Sequence, residues 1–187
     1  TAFSPGRPIE SIRQAVMGLG TELTKASCVA MIVSEGTRGK TSAFDRRGAW
    51  IHAMLVAVAA RDIAKLTPLE IVPGTAYSAG LLHDIGYLAL AAKLPKEISC
   101  LCRRVEADAH SRSMDLERLC LTAPHHALGA VIGRSIGLPS TIVDAILYHH
   151  QPTAAKPLAA CVAVADQLSG LVEGANNPGF YPLVEDI

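Results

Sequence analysis

The sequence predicts an all-α domain, a bundle of roughly eight to nine helices. Half of the 187 residues are hydrophobic but only 4% are aromatic, so Ala, Val, Leu and Ile must fill most of the interior, which favours closely packed helices. Apolar residues recur three and four positions apart along most of the chain. No segment alternates between apolar and polar residues for long enough to predict a sheet.

End signals and apolar periodicity indicate where each helix begins and ends. Gly20 separates the first two helices, Gly36 should stop the second, and Thr67, which precedes a proline, should end the third. The expected helices run from about Ile9 to Leu19, Thr21 to Glu35, Ala43 to Leu66 and Thr75 to Ala92, then from Pro95, after Ser113, from Pro124, after Ser140, and from Pro157 to Val172.

The clearest linker lies at 36–42, where two glycines, two basic residues and three hydroxyl residues follow one another. We therefore divide the chain into an N-terminal helical segment at 1–42, a helical domain at 43–175 and an irregular tail at 176–187. Because the chain starts at Thr1, the N-terminal segment is expected to be a truncated part of a longer protein.

Charge and cysteine content exclude several classes of protein. The 17 basic and 17 acidic residues balance, and no run of like charge indicates nucleic acid or a membrane as a partner. The longest uncharged stretches are shorter than the roughly 18 apolar residues that a spanning helix needs, so a cytoplasmic location is expected. The five cysteines lack paired spacing, which predicts reduced thiols. Cys100 and Cys102 should point in different directions and bind no metal.

Histidines and aspartates lie on the apolar faces of several predicted helices. His52 shares a face with Val56 and Ala59, and His125 is in register with Ile132 whereas His126 is not. His125 should therefore be the inward member of its pair. The other inward or flanking polar residues are His83, Asp84, His149, His150 and Asp166.

These residue types suit a metal site. A buried aspartate costs several kcal/mol, on the order of 3–5, when it is left unpaired, so two of them beside four or five histidines call for a partner. Imidazole and carboxylate together suit Fe, Mn, Zn or another divalent ion. The alternative is a structural cluster of buried hydrogen bonds, because positions on an ideal helix do not prove that side chains converge.

The order of these residues resembles the HD superfamily of metal-dependent phosphohydrolases. Within that superfamily, the sequence around these residues resembles the HDOD family over about residues 43 to 170. Pro8 to Leu19 also resembles the segment that lies just upstream of this region in HDOD proteins. The motifs are Trp50-Ile51-His52, Ala79 to Gly86 (AGLLHDIG), His125 to Ala130 (HHALGA), Gly137-Leu138-Pro139, Ala145 to His150 (AILYHH) and Val164-Ala165-Asp166.

The resemblance implies an output or regulatory module of bacterial signalling, acting with a signalling protein partner. The alternative that it implies is a metal-dependent phosphohydrolase or phosphodiesterase acting on a nucleotide or another phosphoester. If the site is active, the resemblance implies that His52, His83, Asp84 and Asp166 hold one divalent ion, with His125, His149 and His150 available for a second; in the regulatory module the metal would be structural or lost. Asp84 is the catalytic candidate, as the carboxylate that would orient a metal-bound water.

Two departures bear on catalysis. The related HD-GYP phosphodiesterases have a lysine after the His-Asp-Ile-Gly element, whereas this sequence has Tyr87. Their glycine-tyrosine-proline segment is replaced here by QPTAAK at 151–156. Because the missing lysine would stabilise charge on phosphate, we predict no hydrolysis of cyclic di-GMP.

Overall fold

A computed structural model describes residues 11–35, 44–107, 113–152 and 156–176. These residues form ten helices and no strand, so the predicted all-α class is confirmed. The predicted linker at 36–42 and all but the first residue of the predicted tail lie outside the described residues. The helices are α1 (Ile12–Leu19), α2 (Thr21–Glu35), α3 (Arg46–Leu66), α4 (Pro73–Leu82), α5 (Ile85–Lys93), α6 (Pro95–Ala107), α7 (Ser113–Cys120), α8 (His125–Ser135), α9 (Ser140–Tyr148) and α10 (Pro157–Asn176).

Local signals explain most of the observed helix ends. Gly20 ends α1 with φ at 81°, a conformation that glycine adopts without strain, and α2 follows at once. Asp45 begins α3, because its Oδ1 accepts the backbone N–H of Gly48 at 2.9 Å. The long helix therefore begins three residues later than predicted. It ends at Thr67, which is extended as a residue before proline should be.

The prediction of one helix from Thr75 to Ala92 is wrong, because the chain breaks at His83 and Asp84. Asp84 has φ −102° and ψ 16°, outside the helical region, so α4 ends before it and α5 begins after it. Apolar residues continue on both sides of the break, which is why periodicity missed it. The break turns α5 toward α8 and leaves the side chains of His83 and Asp84 at the junction of α4 and α5.

Two hydrophobic cores hold the helices together. The larger is formed by α2, α3, α4, α9 and α10, with α8 at its edge, and small residues let the helices approach closely. A Cβ on Gly80 would lie 2.8 Å from the Cα of Ala57, so α3 and α4 are nearly in backbone contact there. The smaller core lies between α5, α6 and α7 and includes Tyr87, Leu90, Ile98 and Leu101.

In the described part of the chain, no single helix combines the length and apolar character needed to span a membrane. Helix α1 and residues Leu23–Ile32 meet that test only as a pair, with a bend of 112° between them. Leu23, Ala26 and Ala30 of that pair are buried in the larger core.

Candidate metal centre

Five parts of the fold deliver polar side chains to one buried point. His52 comes from α3, His125 is the first residue of α8, and Asp166 comes from α10. The other contributors lie at helix ends, at the α4–α5 break and directly after α9. All seven predicted residues meet here, and we call them the His-Asp cluster: His52, His83, Asp84, His125, His149, His150 and Asp166.

Asp84 lies between two groups of imidazoles. Its Oδ1 is 3.2 Å from Nε2 of His125 and 3.6 Å from Nε2 of His149. Its Oδ2 is 3.4 Å from Nε2 of His83 and 3.9 Å from Nε2 of His52. The two oxygens therefore face opposite halves of the cluster, which is the arrangement of a carboxylate that can bridge two cations.

The shortest contacts of Asp166 are with one half of the cluster. Its Oδ1 lies 3.0 Å from Nε2 of His52 and 3.7 Å from Nε2 of His83. The opposite half contains His149 and His150, and His150 Nε2 is 2.9 Å from Nε2 of His125. Two groups of possible ligands thus share Asp84, and a third group, His83, His149 and Asp166, links the two halves. Their role as ligands stays a prediction.

Hydrogen bonds at the outer nitrogens fix the tautomers of two histidines. Nδ1 of His83 is 2.7 Å from the carbonyl oxygen of Gly80, and Nδ1 of His149 is 2.8 Å from that of Ile146. A carbonyl oxygen can only accept, so each Nδ1 must carry the proton. In the neutral rings Nε2 therefore presents a lone pair to the centre of the cluster, which is the form of histidine that binds metals.

His125 is oriented in the same way by Glu117, a carboxylate that the sequence reasoning missed. Glu117 is 1% exposed, and its Oε1 lies 2.6 Å from Nδ1 of His125. Its Oε2 also accepts the backbone N–H of His125 at 3.3 Å. The available signal was the helical register of Glu117 with Leu121, which places a carboxylate on the buried face of α7.

Two imidazole nitrogens lie close together at the centre of the cluster. Nε2 of His125 and Nε2 of His149 are 3.4 Å apart, and the outer nitrogens of both rings are occupied as donors. Two unprotonated nitrogens repel at this distance unless a proton or a metal cation stands between them. The donor set of nitrogen and carboxylate oxygen fits a divalent metal ion of the first transition row or Zn²⁺.

The pKa values of the cluster show that its imidazoles hold a proton very unequally. Burial lowers the pKa of His125, but Asp84 and Glu117 outweigh burial and raise it to about 10. Burial and the neighbouring His150 lower the pKa of His149 to about 3. Burial raises the pKa of Asp84, yet His83, His125 and His149 hold it well below its usual range. An anionic carboxylate thus lies among imidazoles that differ widely in basicity.

The neighbours of the cluster lie as the helical register predicts. His125 is 1% exposed and lies inside the cluster, whereas His126 is half-buried at its edge, with its ring centroid 5.4 Å from that of His125 and 5.7 Å from that of His150. Tyr87 stacks on His125 with 4.0 Å between ring centroids and 15° between planes. Cys102 is buried in the smaller core whereas Cys100 faces Cys120 on α7, so Cys100 and Cys102 do point in different directions.

Comparisons with known proteins agree with this architecture. The HDOD domain profile matches residues 1–152. A crystal structure of an HDOD domain protein of unknown function from Geobacter sulfurreducens has a TM-score of 0.73 and 27% identity, and the match covers 96% of this chain and 66% of that one.

Two curated proteins that this chain resembles are much longer than the chain itself. An uncharacterized protein of Treponema pallidum is 25% identical over 134 residues, which is 70% of this chain and 26% of that protein. Ribonuclease Y of Thermus thermophilus is 35% identical over 98 residues, 52% of this chain and 12% of that enzyme. This chain therefore spans about a quarter or less of the curated relatives that it matches. The match to the family profile over most of the sequence settles its membership: the chain belongs to the HDOD family.

Proposed function

We propose that this HDOD domain is a metal-binding regulatory module of bacterial signalling, whose His-Asp cluster holds divalent metal. The observation that carries the metal site is the convergence of imidazole nitrogens and carboxylate oxygens, which lie within 4.8 Å of one another in each of three groups inside the cluster. Asp84 supplies an anionic oxygen to both His125 and His149, and a bound cation would take the place of the proton that these two rings otherwise share.

The burial of the cluster favours a regulatory role over turnover. His52, His83, His125 and His149 are at most 2% exposed, and the side chain of Asp84 is 14% exposed. A bound ion would neutralise the carboxylates and tie together helices that are distant in sequence. The state of the metal site would in this way set the packing of the domain, which is what a regulatory module must change to signal.

A protein partner is part of this proposal. Helix α10 has an apolar stripe that faces outward, where Val164, Leu168 and Leu171 lie at helical spacing and are each about half exposed. A cytoplasmic location belongs to the same proposal, because bacterial signalling modules of this kind act on partners inside the cell. We do not expect nucleic acid or a membrane among the partners, since the chain carries no net charge.

The alternative is a metal-dependent phosphohydrolase or phosphodiesterase. The complete donor set of the cluster favours it, as does the similarity to a ribonuclease. Lewis-acid activation of water is the chemistry that divalent metal supplies in such sites. Asp84 would orient that water, because its oxygens reach both halves of the cluster, and the substrate would be a nucleotide or another phosphoester.

One experiment separates these functions. Protein purified without a histidine tag is assayed for Fe, Mn and Zn, and then incubated with bis(p-nitrophenyl) phosphate, short RNA and cyclic dinucleotides in the presence of added Mn²⁺. We expect metal at about stoichiometric amounts and no turnover. Turnover that Asp84→Asn abolishes would establish the enzyme, and protein that neither contains nor is stabilised by any of these metals would refute the metal site.

A further inference from the structure

Two cysteines on neighbouring helices lie side by side, away from the His-Asp cluster. The Sγ atoms of Cys100 on α6 and Cys120 on α7 are 3.3 Å apart, and both residues are half-buried, within reach of solvent. A disulfide needs its sulfur atoms about 2 Å apart, so small rotations of the two side chains would close the gap. The thiols are already hydrogen-bonded to each other as they stand.

We propose that Cys100 and Cys120 are a redox-active dithiol, which a hydroperoxide converts to an intramolecular disulfide between α6 and α7. The site is separate from the metal centre, and the proposal stands whether or not the His-Asp cluster binds metal.

The surroundings of the two thiols give them different roles. Cys100 has its pKa lowered, first by the hydrogen bond with Cys120 and then by the guanidinium of Arg104, one helical turn away. Cys120 has its pKa raised by burial and by the same contact with Cys100. Cys100 is therefore the thiolate that reacts with the oxidant, and Cys120 is the thiol that resolves the product.

The proposed reaction is balanced in two steps. With hydrogen peroxide as the hydroperoxide, the Cys100 thiolate attacks one peroxide oxygen, the O–O bond breaks, and a sulfenic acid forms as hydroxide leaves and takes up the proton that Cys100 released. The sulfur of Cys120 then attacks the sulfenic sulfur, the S–O bond breaks, and water leaves with the thiol proton. Two thiols lose two electrons, the peroxide gains them, and one disulfide and two waters result.

The remaining cysteines do not offer the same chemistry. Cys28 is exposed on α2, Cys102 is buried in the smaller core, and Cys161 is buried with its thiol donating to the carbonyl oxygen of Ala60. A metal site is not favoured at the pair, because a cationic guanidinium adjoins it. Within the described ranges, no group of three or more metal-binding side chains includes a cysteine.

The disulfide would constrain α7, the helix whose Glu117 orients His125. Cys120 lies three residues after Glu117, on the last turn of α7, and Glu117 accepts the Nδ1–H of His125. A bond to α6 would hold that turn in place. The link would also close a loop of about twenty residues, so it should raise Tm by roughly 5 °C relative to the reduced protein.

The test is oxidation of the intact, reduced protein with a small excess of hydrogen peroxide, followed by peptide mass spectrometry without reduction. We expect the peptides that contain Cys100 and Cys120 to be joined within a monomer. Cys28→Ser is the matched control and should form the same link. Cys120→Ser should stop at the sulfenic acid, so that dimedone labels Cys100.

Each other outcome would overturn the proposal. The proposal is wrong if both cysteines stay reduced under conditions that oxidise a reference dithiol, or if dimedone does not label the Cys120→Ser protein. It is also wrong if the disulfide joins two copies of the chain, or if it uses Cys28, Cys102 or Cys161. Circular dichroism on each variant checks that the fold is retained. If a serine variant does not fold, the alkylation rates of Cys100 and Cys120 in the wild type are measured before and after peroxide treatment. The proposal predicts that both cysteines react before the treatment and that neither reacts after it.

Discussion

The imidazole of His125 is held on three sides by residues with different chemistry. Glu117 accepts its Nδ1–H at 2.6 Å, Tyr87 stacks on its face, and Asp84 lies 3.2 Å from Nε2. The carboxylate of Glu117 therefore decides which nitrogen carries the proton, and the stacked ring decides the plane in which the lone pair points. Where a histidine binds metal, loss of such an outer contact typically weakens metal binding by roughly 10–100-fold.

We predict that Glu117→Gln weakens metal binding by roughly 10–100-fold. The amide can still accept the Nδ1–H, but it lacks the negative charge that makes the imidazole a stronger ligand. Isothermal titration of metal-free protein with Zn²⁺ measures the change in affinity. Glu117→Ala should in addition lower the free energy of unfolding by roughly 1–3 kcal/mol, because buried donors of His125 lose their acceptor.

Glu70→Gln is the control for this substitution. Glu70 is exposed between α3 and α4, so the same loss of one carboxylate there should leave both metal affinity and unfolding unchanged. Equal Zn²⁺ affinity in Glu117→Gln and wild-type protein would mean that Glu117 only caps α8 through the backbone N–H of His125.

Asp166→Asn should reduce metal retention by roughly 10-fold or more, because it removes an anionic donor from the half of the cluster that contains His52. Thermal unfolding with and without Mn²⁺ measures this, since a ligand that binds only the folded state raises Tm. We expect wild type to gain more from Mn²⁺ than the variant. Asp144→Asn, at a surface pair with Lys156, should gain as much as wild type. Equal gains in all three proteins would remove Asp166 from the ligands.

At the scale of helices, the sequence predicted where most elements begin and end, because caps and prolines act locally. Gly20 and Thr67 are such cases, whereas the cap at Asp45 was missed and the start of α3 was placed three residues too early. The break at Asp84 could not be predicted in this way. Its cause lies in the packing of α5 on α8, a contact between segments some forty residues apart. Glu117 was missed for a related reason, since its partner His125 belongs to the next helix.

The contact of α5 with α8 depends on Gly86. A Cβ placed there would lie 1.9 Å from the carbonyl oxygen of His125 and 2.7 Å from its carbonyl carbon. We predict that Gly86→Ala destabilises the fold by roughly 1–3 kcal/mol, because backbone atoms must move to admit the methyl group. Since those atoms belong to His125, metal affinity should fall together with stability.

Gly74→Ala is the matched control for that prediction. No heavy atom lies within 4 Å of a Cβ built at Gly74, which is in the first turn of α4. Alanine there should leave metal binding unchanged and stability equal or slightly higher, as helix propensity favours alanine. Chemical denaturation and Zn²⁺ titration of both variants provide the measurements. A Gly86→Ala protein with wild-type stability would show that α5 and α8 can separate without cost.

At the scale of the whole molecule, the cluster joins residues 52 to 166, so the fold must be complete before the site exists. The sequence could predict which residues converge, because a histidine or aspartate on an apolar face has few other places to go. It could not predict that Asp84 would stand between two groups, since that follows from the relative placement of α3, α8 and α10. The same placement decides what can approach the centre.

Our last prediction is that metal-loaded protein does not hydrolyse cyclic di-GMP. Charge accumulates on phosphate during hydrolysis and needs cationic help, which a lysine after the His-Asp-Ile-Gly element would supply. In this fold that position belongs to Tyr87, which is 1% exposed and packed on His125, so it contributes an uncharged ring and fills the space beside the cluster. Chromatography of cyclic di-GMP after incubation with protein and Mn²⁺ measures turnover, and protein with Asp84→Asn sets the background. Turnover above that background by pure wild-type protein would show that the cluster reaches the phosphate without a cationic side chain at position 87.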